Sequence, residues 1–212
     1  MNGKNLLVID NPQDEYGRIQ EFDINGTYLR TIYREEPGNV LNRICVTDQH
    51  IAVCCRSIGD KTPSSIKLLS KQFGNVKQEF HTAGKRPWPN CIAHCNHKFF
   101  VTSCNQERKQ LNFIEVYDEN GAFLYKFGEK GEGDGQFHSL CGLAVYGGDM
   151  LLACDGGNHR VQLLTQEGHF VTSFGSYGSD PGKIVGPIDA VVTPNGDVLV
   201  LELGGKRVQV WR

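Results

Sequence analysis

Three acid–cation pairs are the first residues that could do chemistry. They are Asp10 with Arg18, Asp155 with Arg160 and Glu202 with Arg207, the last two each five residues apart. A carboxylate and a guanidinium at that spacing across a short loop form an ion pair that orders the loop, contributing about 0–1 kcal/mol when exposed. The other use of such arginines is to project toward a ligand. The seven histidines (His50, His81, His94, His97, His138, His159 and His169) recur at no fixed interval, and His94-x-x-His97 is a weak metal signal by itself. No Gly-x-Ser-x-Gly elbow supplies a nucleophile. The stretch Gly128 to Gly135 is glycine-rich but lacks the Lys-Ser/Thr ending of a phosphate loop, so it reads as a connector. These features imply no enzyme, no cofactor and no metal.

Composition points the same way. The 212 residues carry a formal net charge of −2, which gives no global attraction to nucleic acid or anionic membranes, although a local basic face is compatible with it. No apolar run reaches membrane-spanning length, and Leu6-Leu7-Val8-Ile9 reads as a strand instead of a signal core. The eight cysteines include no C-x-x-C and sit mostly in apolar runs such as Val53-Cys54-Cys55. Packed, reduced thiols and a cytoplasmic location follow as expectations.

The elements that must position these residues repeat. Apolar–polar–apolar strands start at Ile19, Ile66, Ile114, Val161 and Val208, at intervals of 47, 48, 47 and 47 residues. Four are followed by turn glycines, Gly26, Gly74, Gly121 and Gly168, where a hairpin needs a positive φ. One further strand follows each of these turns, and two strands precede each full pair. Four short strands per unit, joined by hairpins, make an antiparallel meander, which repeated radially is a propeller blade. The units run 1–34 (partial), 35–82, 83–130, 131–179 and 180–212 (partial), all within one all-β propeller over 1–212.

Gly157-Asn158-His159-Arg160-Val161-Gln162-Leu163, after Leu151 to Asp155 and before Gly168 and Phe174-Gly175, resembles the NHL repeat. Residues 137–175 follow that pattern almost throughout, Gly204 to Val210 gives a second match, and the units near 43–80 and 90–127 are degenerate. The resemblance implies a propeller of the kind found at the C-terminus of tripartite-motif ubiquitin ligases, usually six-bladed. The units hold 3, 4, 4, 4 and 3 strands, whereas six blades at this period would take about 280 residues. The chain therefore reads as an incomplete six-bladed propeller whose open edges invite self-association or a partner. Closure with five blades is the alternative, and it would need terminal strands that complement each other in one shared blade.

Loops between second and third strands carry Arg56, Lys61, Arg108, Lys109, His159, Arg160, Lys206 and Arg207, and a connector carries Lys85, Arg86 and Trp88. Glu35, Glu36, Asp60, Glu107, Glu129, Glu132 and Asp134 offset them on the same class of loops. A cation-rich rim with a Trp suits a protein partner or, as the alternative, single-stranded RNA. By the resemblance, the chain is the partner-binding end of a tripartite-motif-like protein. A RING domain would supply any ligase activity, and its spaced Cys/His ligands are absent from these residues.

Overall fold

The structure, a computed structural model, describes residues 5–12, 16–57, 63–82, 87–104 and 111–212. All of its regular sheets are antiparallel meanders, and the strand order within each follows the chain. Blade 1 has β1 (Leu6–Asp10), β2 (Arg18–Phe22) and β3 (Tyr28–Arg34). Blade 2 has β4 (Asn39–Val46), β5 (His50–Ser57), β6 (Ser65–Ser70) and β7 (Val76–Phe80). Blade 3 has β8 (Trp88–Cys95), β9 (Lys98–Cys104), β10 (Ile114–Asp118) and β11 (Phe123–Phe127). A two-residue parallel ladder follows, β12 (Glu129–Lys130) on β13 (Gln136–Phe137), and folds the glycine-rich connector back on itself. Blade 4 has β14 (Leu140–Tyr146), β15 (Met150–Asp155), β16 (Arg160–Thr165) and β17 (Phe170–Phe174), and blade 5 has β18 (Pro187–Val192), β19 (Val198–Glu202) and β20 (Arg207–Trp211). The fold is a β-propeller of five blade units, with the strand counts 3, 4, 4, 4 and 3 read from the repeat.

The chain divides into two compact units, Met1–Pro89 and Asn90–Arg212. In the first, Ile19, Leu41, Ile51, Val53 and Leu69 form the core, joined by Leu7, Ile9 and Ile44. In the second, one cluster gathers Phe100, Ile114, Val116, Phe137, Leu140, Leu151 and Leu164, and another gathers Leu152, Cys154, Val161, Val198 and Val200. Alternation along each strand sends successive side chains to opposite faces, so one strand feeds both clusters: Leu151 and Ala153 go to one, Leu152 and Cys154 to the other. None of the eight cysteines is in a disulfide; five are buried and Cys45, Cys104 and Cys141 are half-buried. Burial pushes the Cys141 thiol up to about 11.

The turn glycine of the repeat has a second duty besides its dihedral. Gly168 sits at φ +88°, and a Cβ there would lie 2.4 Å from the Phe127 ring of blade 3. Gly26, at φ +83°, has open space around its Cβ position. Gly168→Ala therefore meets both strain and a clash and is expected to cost about 2 kcal/mol or more, against about 1 kcal/mol for Gly26→Ala. Urea unfolding of the two variants tests this, and equal losses would count against the close approach.

Candidate binding face

The loop end of blade 4 is built around a buried carboxylate. β15 and β16 pair Asp155 opposite Arg160. The Asp155 side chain is fully buried, and Arg160 lies close against it. Asp155 Oδ2 accepts from Arg160 Nε at 2.9 Å, Asn158 Nδ2 at 2.8 Å and Gln162 Nε2 at 3.2 Å. Its Oδ1 accepts the His138 backbone N–H at 2.7 Å. Arg160 then reaches the connector before β14, donating to the Gly133 carbonyl at 2.6 Å and the Gln136 carbonyl at 3.1 Å. Gln162 bonds the same connector twice, donating to Gln136 O at 2.7 Å and accepting from the Gly135 N–H at 3.0 Å. One carboxylate, one arginine and one glutamine thus lock the β15–β16 loop to the connector before β14, satisfying backbone groups that the short β12–β13 ladder leaves over.

Blade 5 repeats the clamp one period later. Glu202 accepts from Arg207 Nε at 2.9 Å, from Gln209 Nε2, and from the Val185 N–H at 2.8 Å. Arg207 donates to Ser179 O at 2.6 Å and Lys183 O at 2.8 Å, and Gln209 also donates to Lys183 O. Burial alone would raise the Glu202 carboxyl, but the Val185 N–H, Arg207 and Gln209 together hold it below its ordinary value. Blade 1 keeps the acid–arginine contact, Arg18 Nε to Asp10 Oδ2 at 2.8 Å, at a more exposed site. There the neighbouring Asn11 clips blade 2 instead, exchanging two hydrogen bonds with the Leu41 backbone at 2.8 and 3.0 Å.

Blade 2 solves the same problem with the charges exchanged. Cys55 opposite Ser65 takes the register of Asp155 opposite Arg160, and Lys67 takes that of Gln162. The acid comes from the preceding connector: Lys67 Nζ lies 2.7 and 3.0 Å from the two oxygens of Glu35, whose side chain is fully buried. Glu35 also accepts from Tyr33 Oη at 3.0 Å and from the Glu36 backbone N–H at 2.9 Å. Burial would raise the Glu35 carboxyl, yet Lys67 and the Glu36 N–H hold it below its ordinary value. The same repeat position in blade 3 holds the buried Glu115. In the sequence this second side chain of the clamp is signalled by the polar residue that follows the first apolar residue of each third strand (Gln20, Lys67, Glu115, Gln162 and Gln209).

The remaining candidates fall in three groups. Arg56 stacks over Trp88 with its guanidinium carbon 5.0 Å from the ring centroid, and both side chains are half-buried. His159, at φ +56°, accepts the Gly186 N–H on Nδ1 at 3.1 Å and lies 4.9 Å from the Tyr177 ring. Lys206, one period on, has φ +49° and is exposed. Lys61, Lys85, Arg86, Arg108 and Lys109 lie outside the described residues. His94 and His97 both approach Glu119, at 3.4 and 3.1 Å. Among the described residues no group of three or more His, Cys, Asp or Glu is placed to hold a metal ion, and no helix is long and apolar enough to cross a membrane.

No protein-family model matches the chain. Over 78 residues it is 38% identical to protein brain tumor of Drosophila melanogaster, covering 36% of this chain and 8% of that protein. Over 58 residues it is 38% identical to RING finger protein nhl-1 of Caenorhabditis elegans, covering 27% of this chain and 6% of that protein. The matched segments thus span less than a tenth of either relative. A solved β-propeller domain from Myceliophteria thermophila has a similar fold, with a TM-score of 0.64 at 9% identity over 97% of this chain and 66% of that one. At that identity the likeness concerns the fold alone.

Proposed function

We propose that the chain, a β-propeller similar over 78 residues to protein brain tumor and over 58 residues to RING finger protein nhl-1, is a non-catalytic, cytoplasmic recognition module that engages a protein partner through the loops at the second-to-third-strand end of its blades. The observation that supports this over RNA is the fate of the motif arginines. The guanidinia of Arg160 and Arg207 are each held by a buried carboxylate and two loop carbonyls. A phosphate could take them only by breaking those bonds and leaving a buried carboxylate unpaired, which is unfavourable. What the first unit offers at the corresponding end is Arg56 on Trp88, a pair of the residue types that dominate protein–protein hot spots. By resemblance, the module serves as the partner-binding end of a tripartite-motif-like protein in the ubiquitin pathway. RNA binding through Lys85, Arg86, Arg108 and Lys109 is the competing reading.

A photo-crosslinking residue at position 88, compared with one at position 73 in the exposed turn at the opposite end of blade 2, tests the reading in cells. The expected result is protein adducts at position 88 that resist ribonuclease and are absent at position 73. Adducts that ribonuclease removes, or equal adducts at both positions, would overturn it.

A further inference from the structure

Three blades begin their third strand with an arginine opposite the acid that ends the second: Arg18, Arg160 and Arg207. In blades 4 and 5 that arginine fills the corner between the strand and the preceding connector, where it bonds two carbonyls. Blade 2 leaves the corner open. Its register there holds Cys55 opposite the small Ser65. Its connector is shorter too: residues 35–38 join β3 to β4, whereas residues 128–139 lead from β11 to β14 and 175–186 from β17 to β18. What results is a cavity of about 300 Å³ whose walls include Glu36, Cys55, Ser65, Lys67, Glu79 and His81.

The polar groups of this cavity call for donors that carry positive charge. Glu79 lies opposite Lys67, where blade 4 has Ser173 opposite Gln162. The Lys67 ammonium is nevertheless turned to Glu35, so the one lysine in the wall is already neutralised. Glu36 and Glu79 are exposed and have no ion-pair partner among the described residues. Ser65 is 2% exposed, and its hydroxyl has no hydrogen-bond partner among the described residues, an arrangement that costs stability until something meets it. His81 Nδ1 lies 2.9 Å from the Ser64 carbonyl. A carbonyl only accepts, so Nδ1 carries the proton and the neutral ring keeps Nε2 as an acceptor. The volume is at the lower end for ligand pockets and suits a single long side chain.

We propose that this cavity takes an arginine side chain from a protein partner, which supplies in trans the guanidinium that blades 1, 4 and 5 carry themselves. The inference rests on the reading of this blade end as a protein-recognition face and names the chemistry of one contact on it. Arginine suits the cavity better than lysine, because a planar guanidinium meets several acceptors at once and grips a carboxylate with paired N–H groups, whereas an ammonium is a point charge.

Titrating the full chain with N-acetyl-arginine methylamide, followed in amide proton–nitrogen correlation spectra, tests this with no partner in hand. The amides of Ser65 and Glu79 should shift with a dissociation constant of about 1 mM. Those of Arg160 and Gln162, in a blade whose corner is filled, should not move. The lysine analogue should bind at least about 5-fold more weakly and the norleucine analogue not at all. Glu79→Gln, at an exposed position, should weaken binding at least about 5-fold, and Ser65→Arg, which fills the corner from within, should abolish it. If Ser65→Arg misfolds, Glu79→Gln carries the test. No shift at Ser65 and Glu79 would overturn the inference, as would binding that Glu79→Gln leaves unchanged or a lysine analogue that binds as tightly. The crosslinking at position 88 is a separate outcome. Arginine binding here with only RNA adducts there would keep the site and remove the protein-recognition reading; protein adducts there with no arginine binding here would do the reverse.

Discussion

Asp155→Ala is expected to lower the thermal unfolding midpoint by about 6–20 °C, corresponding to about 3–5 kcal/mol. The side chain is fully buried and receives four donors, from His138, Asn158, Arg160 and Gln162. Its removal leaves the Arg160 cation without its anion and the His138 N–H without an acceptor, and both must be desolvated or exposed at a cost. The same substitution at Asp10, whose pair with Arg18 is more exposed, should cost no more than about 1 kcal/mol. The comparison separates a clamp that organises two loops from an ordinary surface ion pair. Differential scanning calorimetry measures it, and similar small losses at both positions would mean that the buried carboxylate does not organise the loop.

Lys67→Met should be nearly as damaging, by about 3–5 kcal/mol, because it strands the buried Glu35 carboxylate. The deficit should depend on pH. With Lys67 present, the Glu35 carboxyl sits below its ordinary value, so the pair stabilises the fold above the unfolded carboxyl range and is lost as the pH falls through the lowered folded value. Without Lys67, burial favours the protonated acid, so the variant loses most at neutral pH and recovers toward the wild type as the solution is acidified. A Glu35→Leu/Lys67→Met double variant should regain most of the loss, since an apolar pair of similar volume avoids burying charge. A single variant that unfolds within about 1 kcal/mol of the wild type at neutral pH would show that the pair is not coupled as the geometry requires.

These two clamps also mark what the sequence makes legible. The strands and their turns could be read because the 47-residue period fixes strand, turn and glycine together: Gly26, Gly74, Gly121 and Gly168 all take a positive φ, which is why the glycine recurs, while the close approach of Gly168 to the neighbouring blade shows only in the fold. Asp155 with Arg160 and Glu202 with Arg207 could be read as pairs because acid and base lie five residues apart. Their carbonyl partners, Gly133, Gln136, Ser179 and Lys183, lie 24 to 28 residues earlier on connectors of irregular backbone, and no local pattern announces such a contact. Blade 2 carries no such local signal. Glu35 reads as one more solvated loop acid, and only the fold brings it to Lys67, 32 residues away. Trp88 between two prolines reads either as an exposed anchor or as packing, and no local pattern announces its contact with Arg56, also 32 residues away.

The central claim is recognition of protein in preference to RNA, and the most direct measurement is fluorescence anisotropy of a random single-stranded RNA pool against the full chain at two salt concentrations. With Arg160 and Arg207 held in their clamps, the expected result is weak binding at low salt that an Arg160→Ala/Arg207→Ala variant leaves unchanged. Tight binding that falls by orders of magnitude as salt is raised, and that the double variant abolishes while remaining folded, would contradict the claim and make RNA the ligand of these loops.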